Sequence, residues 1–266
     1  MPFMNVAGVR LHYQDTGGPG QAVIFSHGLL MDGGMFVEQV EAFVPEYRCI
    51  TWDQRGFGGT GPAAEPFDYW DSARDLLGLM SGLGIASASL VGLSQGGFLS
   101  MRAALLEPER VNSLVLLATR AATDSAETVE NFRQLRDEWR RNGAKNVSGP
   151  LAEVLLGPDV DPVPWVERWA RMGLGDMDLP LRALMERDDL TSKLPDIACP
   201  SIVVHGTADK AIDIEHGKHL AQNLPGCSGL HPQEGAGHAV NLARPAAVNA
   251  IMTRFLGEMR SKFPTR

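Results

Sequence analysis

Short apolar runs alternate with helical patterns along most of this chain, and that alternation limits the folds open to it. Ala22-Val23-Ile24-Phe25-Ser26, Tyr47 to Trp52, Ser89-Leu90-Val91-Gly92, Val111 to Ala118 and Ser201-Ile202-Val203-Val204-His205 are near-continuous apolar segments. Such runs suit strands buried on both faces, as in a parallel sheet. Between them, Met35 to Val44, Tyr69 to Leu83 and Phe98 to Leu106 carry helical spacing. Repetition of strand, helix and strand implies parallel strands joined by right-handed crossovers. Ahead of these, Phe3-Met4-Asn5-Val6 and Val9-Arg10-Leu11-His12-Tyr13 flank Ala7-Gly8 and read as a hairpin. Near the other end, Ile212 to Asn223 and Pro245 to Met259 read as helices around a poor last strand, Ser228 to Pro232.

The alternation stops between about residues 119 and 190. This stretch has helical segments, no convincing strand and a proline-rich break from Pro158 to Pro164. It also holds Trp139, Trp165 and Trp169, three of the five tryptophans. The expected organisation is a core of residues 1–118 and 191–266, with residues 119–190 inserted as a helical cap over the C-terminal edge of the sheet. Ligands of open α/β sheets bind at that edge. The three tryptophans either line a substrate pocket or hold the cap to the core, because large aromatics serve both ends.

Gly92-Leu93-Ser94-Gln95-Gly96 sits where an apolar strand gives way to a helix. It fits the strand–turn–helix pattern G-x-S-x-G, which raises a serine on a strained turn. Glycine at either end lets the strand and helix approach closely. A serine hydroxyl is a weak nucleophile at neutral pH and needs a base in hydrogen-bond reach, which in turn needs an orienting carboxylate. Both follow in the order this pattern demands. Asp209 lies in the turn after the 201–205 strand, and His238 follows the last strand in Gly235-Ala236-Gly237-His238. Asp124 and Asp213 are the competing acids. Asp124 lies six residues past Ala118, and Asp213 opens a helix where a cap explains it. Ser94, Asp209 and His238 are therefore the expected nucleophile, acid and base. Attack on a carbonyl also requires two preorganised donors for the oxyanion. The expected pair is the backbone N–H of Gln95, next to the nucleophile, and that of Leu29 in the His27-Gly28-Leu29 turn.

With these residues, the chain resembles the α/β-hydrolase-fold serine hydrolases over nearly its whole length. The resemblance implies a mostly parallel eight-stranded sheet flanked by helices, with a small helical cap. It implies cleavage of carboxylic esters or lactones through an acyl-enzyme, with no cofactor and no metal. Within the family, Met172-Gly173-Leu174 and Arg187-Asp188-Asp189-Leu190 are similar to 3-oxoadipate enol-lactonases. The Phe25-Ser26-His27-Gly28 strand end and the Asp53-Gln54-Arg55-Gly56-Phe57-Gly58 loop are similar to small bacterial arylesterases and cofactor-free haloperoxidases. A C–C bond hydrolase of a ring-cleavage product uses the same triad, and so does a perhydrolase. A binding protein without catalysis on this fold is a third class. Serine rather than aspartate at 94 disfavours epoxide hydrolase and dehalogenase chemistry.

The remaining histidines have structural readings. His27 supports its turn, His216 and His219 share a solvated helical face, and His12, His205 and His231 are packing residues. The net charge of −8 argues against a nucleic-acid or anionic membrane surface. The expected partner is a small-molecule ester or lactone, with self-association into a homo-oligomer left open. Three cysteines at no metal-ligand spacing, no signal-like apolar stretch in Met1 to Arg10 and no long apolar run lead to a cytoplasmic expectation.

Overall fold

Each apolar run becomes a strand, and the computed structural model, which describes residues 2–263, orders them into one sheet. The strands are β1 (Phe3–Val6), β2 (Val9–Asp15), β3 (Ala22–Ser26), β4 (Arg48–Trp52), β5 (Ala88–Leu93), β6 (Val111–Leu117), β7 (Ser201–Gly206) and β8 (Cys227–Gln233). Their order is β1-β2-β4-β3-β5-β6-β7-β8. The pairs β1–β2 and β2–β4 are antiparallel and the others parallel. The hairpin turns through Ala7 and Gly8, both at positive φ (46° and 86°), the backbone of a two-residue type I′ turn. Every residue of β3, β5, β6 and β7 is buried, which explains why these strands lack alternation. The edge strand β8 is mostly half-exposed and carries Gly229 and Pro232, and its sequence signal is correspondingly poor.

Helices pack on both faces of the sheet: α1 (Val37–Phe43), α2 (Tyr69–Gly82), α3 (Gln95–Leu106), α8 (Ile214–Asn223), α9 (Val240–Ala243) and α10 (Pro245–Lys262). Between β6 and β7 come only helices: α4 (Ala126–Asn142), α5 (Ser148–Leu155), α6 (Val163–Trp169) and α7 (Asp178–Met185), with short 3₁₀ turns. The two ends of this insertion meet where Leu190 N donates to Ala121 O (3.1 Å).

Several boundaries differ from those read in the sequence, each for a local reason. The pattern over Met35 to Val44 splits into a 3₁₀ turn, Gly33–Phe36, and α1. Asp32 caps that turn by accepting from Gly34 N (2.9 Å). α8 begins at Ile214 rather than Ile212, because Asp213 is its N-cap and accepts from Glu215 N (2.8 Å). α2 opens with a reciprocal capping box between Asp68 and Asp71. Among the described residues no helix is long and apolar enough to cross a membrane.

Candidate active site

Ser94 links β5 to α3 with φ 53° and ψ −116°. A non-glycine residue there costs on the order of 1–3 kcal/mol and persists only when its surroundings impose it. The imposition is steric. A Cβ at Gly92 would run into the Gly96 carbonyl, and one at Gly96 into the Ser26 carbonyl of β3. Ser94 is held on both sides by backbone: its N–H donates to Leu117 O (2.9 Å) and its carbonyl accepts from Thr119 Oγ1 (2.7 Å). Its side chain does not cap α3, so the hydroxyl is not committed to the helix.

Asp209 and His238 are brought together by the next loops along the same sheet edge. His238 Nδ1 lies 2.9 Å from Asp209 Oδ2. The other carboxylate oxygen, Oδ1, accepts from Ala211 N (2.8 Å) and Ile212 N (3.0 Å). Burial opposes the charge on Asp209. The positive field of His238 and the hydrogen bonds from His205, His238 and Ile212 outweigh it and hold the carboxyl well below the usual carboxylate range. With Nδ1 occupied by Asp209, the His238 nitrogen left to take a proton is Nε2. No Ser94–His238 hydrogen bond forms among the described residues; the two side chains share an edge without touching through one.

The two expected oxyanion donors also lie at this edge. Leu29 N–H makes no hydrogen bond to a described residue. Gln95 N–H, at the first position of α3, has no partner inside the helix. The turn carrying Leu29 is strained at Leu30 (φ 60°). It is tied down by the buried His27, whose Nδ1 lies 2.8 Å from Gly28 O and whose Nε2 accepts from Gln54 N (2.9 Å). That pairing assigns His27 the Nδ1–H tautomer, and burial lowers its basicity. The Gln95 amide is oriented by Tyr69, whose hydroxyl donates to Oε1 (3.1 Å). Asp53 fixes the neighbouring loop by accepting from Gly33 N and Gly59 N (2.7 Å each) while facing His12 Nδ1 at 2.7 Å.

The competing acids are occupied elsewhere. Asp213 caps α8. Asp124 is buried between the guanidiniums of Arg120 and Arg187, whose pKa values burial lowers to about 10. This buried cluster joins the strand end after β6 to the end of the insertion. Nothing in the sequence pattern announced it, since Asp124 and Arg187 stand far apart in the chain.

The three tryptophans take different positions. Trp139 is fully buried and its indole donates to Gly173 O within the insertion (3.1 Å). Trp165 is buried with the Arg168 guanidinium over its ring at 4.5 Å. Trp169 reaches the core: its Nε1 donates to Leu30 O (2.7 Å), on the turn that carries Leu29. A cavity of about 600 Å³ opens beside that turn, lined by Leu30, Met31, Asp53, Phe57, Arg168 and Trp169 among others. Ser94, Gln95, Asp209 and His238 do not line it. It therefore lies apart from the residues expected to do chemistry, and size alone does not make it the substrate site. His205, expected to be a packing residue, instead meets a carboxylate: its Nε2 lies 3.2 Å from Asp209 Oδ2. Among the described residues no group of three or more His, Cys, Asp or Glu side chains is placed to hold a metal ion.

Comparison with known proteins places this geometry in a family. The sequence pattern of the alpha/beta hydrolase fold matches residues 21–245. A Mycobacterium tuberculosis protein designated non-heme bromoperoxidase BpoC is 31% identical over 95% of this chain and 100% of its own length. Human serine hydrolase BPHL is 29% identical over 94% of this chain and 84% of its own. Among solved structures, a thermophilic esterase from Thermogutta terrifontis superposes with a TM-score of 0.86 at 28% identity, covering 97% of both chains. The enol-lactonase from Burkholderia xenovorans gives 0.86 at 26% identity, covering 96% of this chain and 100% of its own. The chain belongs to the α/β-hydrolase-fold family.

Proposed function

We propose that this protein is a serine hydrolase that cleaves carboxylic esters or lactones through an acyl-enzyme on Ser94. The observation that carries the reading is the His238 Nδ1–Asp209 Oδ2 contact of 2.9 Å on the same sheet edge as a serine held at φ 53°. Ser94 Oγ attacks the substrate carbonyl carbon while His238 Nε2 takes the hydroxyl proton. The carbonyl electrons move to oxygen, which the Leu29 and Gln95 N–H groups receive. Collapse breaks the carbon–oxygen bond to the alcohol, and His238 returns the proton to the departing alkoxide. In a lactone that alkoxide stays tethered to the acyl group. Water then attacks the acyl-serine, His238 takes its proton, and the acid leaves as Ser94 regains one. Asp209 remains ionised throughout and stabilises the imidazolium. No metal or organic cofactor enters these steps.

The relatives support this class, since an esterase, an enol-lactonase and a serine hydrolase are among them. The bromoperoxidase designation of another relative favours one second reading, a cofactor-free perhydrolase. There, hydrogen peroxide replaces water in the second attack and a peracid leaves. Rates on p-nitrophenyl esters, on lactones, and on acetate with hydrogen peroxide separate these readings. Hydrolysis of an ester or lactone that is lost in Ser94→Ala is the expected result. Hydrolysis undiminished in Ser94→Ala contradicts the proposal, and peracid formation without ester turnover favours the second reading.

A further inference from the structure

We infer that His205 is a positioning residue for the acid of the triad, donating its Nε2–H to the same Asp209 oxygen that holds His238. The inference rests on the reading of Asp209 and His238 given above. His205 is the penultimate residue of β7 and is completely buried, four residues before Asp209. Its Nε2 faces two acceptors, Ile212 O at 2.8 Å and Asp209 Oδ2 at 3.2 Å. Two oxygen acceptors at one ring nitrogen require a proton there. The other nitrogen, Nδ1, is buried with no hydrogen-bond partner among the described residues. It lies against α8, where a Cβ added at Gly217 would come within 2.7 Å of it. His205 is thereby held as the neutral Nε2–H tautomer, since a proton on Nδ1 would be buried against apolar backbone with nothing to receive it.

The consequence falls on the carboxylate. Asp209 Oδ1 takes two backbone N–H groups, and Oδ2 takes two histidines. Such a carboxylate has no freedom to rotate away from His238. The second donor also draws charge from Oδ2, so His205 moderates the pull that Asp209 exerts on the His238 imidazolium. The other charged or titratable groups facing this pair are Arg120, from the strand end after β6, whose charge acts on Asp209, and His216 on α8, which faces His205. Loss of the His205 donor should therefore do two things. It should lower kcat with little change in KM, because the base is less well held. It should also raise the pH of the acid limb, because an unshared Oδ2 makes His238 more basic.

Three forms of the full-length protein test this: wild type, His205→Gln, which can place an N–H near Nε2, and His205→Leu, which cannot. For His205→Leu the expected result is a kcat lower by about tenfold or more, the worth of one hydrogen bond to a charged group. Its KM should stay near wild type and its acid limb should move to higher pH. His205→Gln should recover much of the rate and return the limb toward wild type. Wild-type kcat and an unmoved limb in folded His205→Leu would overturn the inference. So would a Gln variant as impaired as the Leu variant. Should His205→Leu not fold, long-range ¹H–¹⁵N NMR of the wild type reads the tautomer directly. A proton on Nε2 and none on Nδ1 is expected. A proton on Nδ1 overturns it. Activity that persists in Ser94→Ala would instead sink the underlying hydrolase reading, so the two failures are distinguishable.

Discussion

The loops at the C-terminal edge of the sheet and the helical insertion between β6 and β7 are held in place by different means. The edge loops are set by backbone: glycines at Gly92 and Gly96 with no space for a Cβ, and carboxylates of Asp53 and Asp209 that gather main-chain N–H groups. The insertion is held by long side chains reaching across the chain: Trp169 to Leu30 O, Arg168 to Asp32, Arg187 to Asp124 and Ala122 O, Arg102 to Asp188. Backbone-set loops fix atoms tightly and write themselves into short motifs. Side-chain struts fix a neighbouring body and leave no motif. The chemistry proposed here sits on the first kind of structure. Any control of its shape comes from the second kind.

The largest effect should come from breaking the edge. Asp209→Asn keeps the shape but removes the charge that stabilises the imidazolium, and should lower kcat by roughly 10³–10⁴-fold. Asp213→Asn, which touches only the α8 cap, should stay within about tenfold in kcat and cost about 1 kcal/mol of stability. Steady-state kinetics on one activated ester, with folding checked by circular dichroism, compares them. Equal losses in both would erase the distinction between the two acids.

A smaller effect should come from the strut that reaches the turn carrying Leu29. Trp169→Phe preserves most of the bulk and removes the N–H that binds Leu30 O. The turn carrying Leu29 then loses a tether, and kcat should fall about tenfold, less than the 10²–10³ expected for outright removal of an oxyanion donor. Trp139→Phe removes a comparable bond inside the insertion and should cost about 1 kcal/mol of stability with kcat unchanged. If both variants respond alike in kcat, the insertion acts on the edge through more than Trp169.

The edge loops and the motifs that encode them explain what could be read in advance. Ser94, Asp209 and His238 follow strand ends at motif spacing, so their order and setting were visible from residue types alone. The central strands were equally plain, because burial on both faces makes them uniformly apolar. β8 was blurred by its place at the sheet edge. The Arg120–Asp124–Arg187 cluster is not legible because its members lie on opposite ends of the insertion, and Asp124 by itself reads only as a competing acid for the triad. His205 reads in the sequence as a packing residue. The usable signal was its position, since a histidine at the buried end of an apolar strand must find a hydrogen-bond partner, and Asp209 is four residues away.

Titration sharpens the contrast further. The folded-state pKa of Asp209 lies below its unfolded value, with burial opposing and the histidines with the Ile212 N–H prevailing. Such a group contributes stability that is present above the unfolded pKa of about 3.9 and lost as pH falls through the folded value. The stability difference between wild type and Asp209→Asn should shrink as pH falls below about pH 4. Denaturant melts on either side of that value check it, and a difference that grows below it would show the sign to be wrong. Smallest of all should be Arg168→Ala. It removes a partly exposed strut to Asp32 and should change stability by about 1 kcal/mol or less.

The central claim is that Ser94 is the nucleophile and His238 its base. Treating wild type, Ser94→Ala and His238→Ala with a fluorophosphonate, followed by peptide mass spectrometry, tests it most directly. One adduct is expected in the wild type, on the peptide containing Ser94, with slow labelling in His238→Ala and none in Ser94→Ala. An adduct on another residue, or labelling of Ser94→Ala at the wild-type rate, would contradict it.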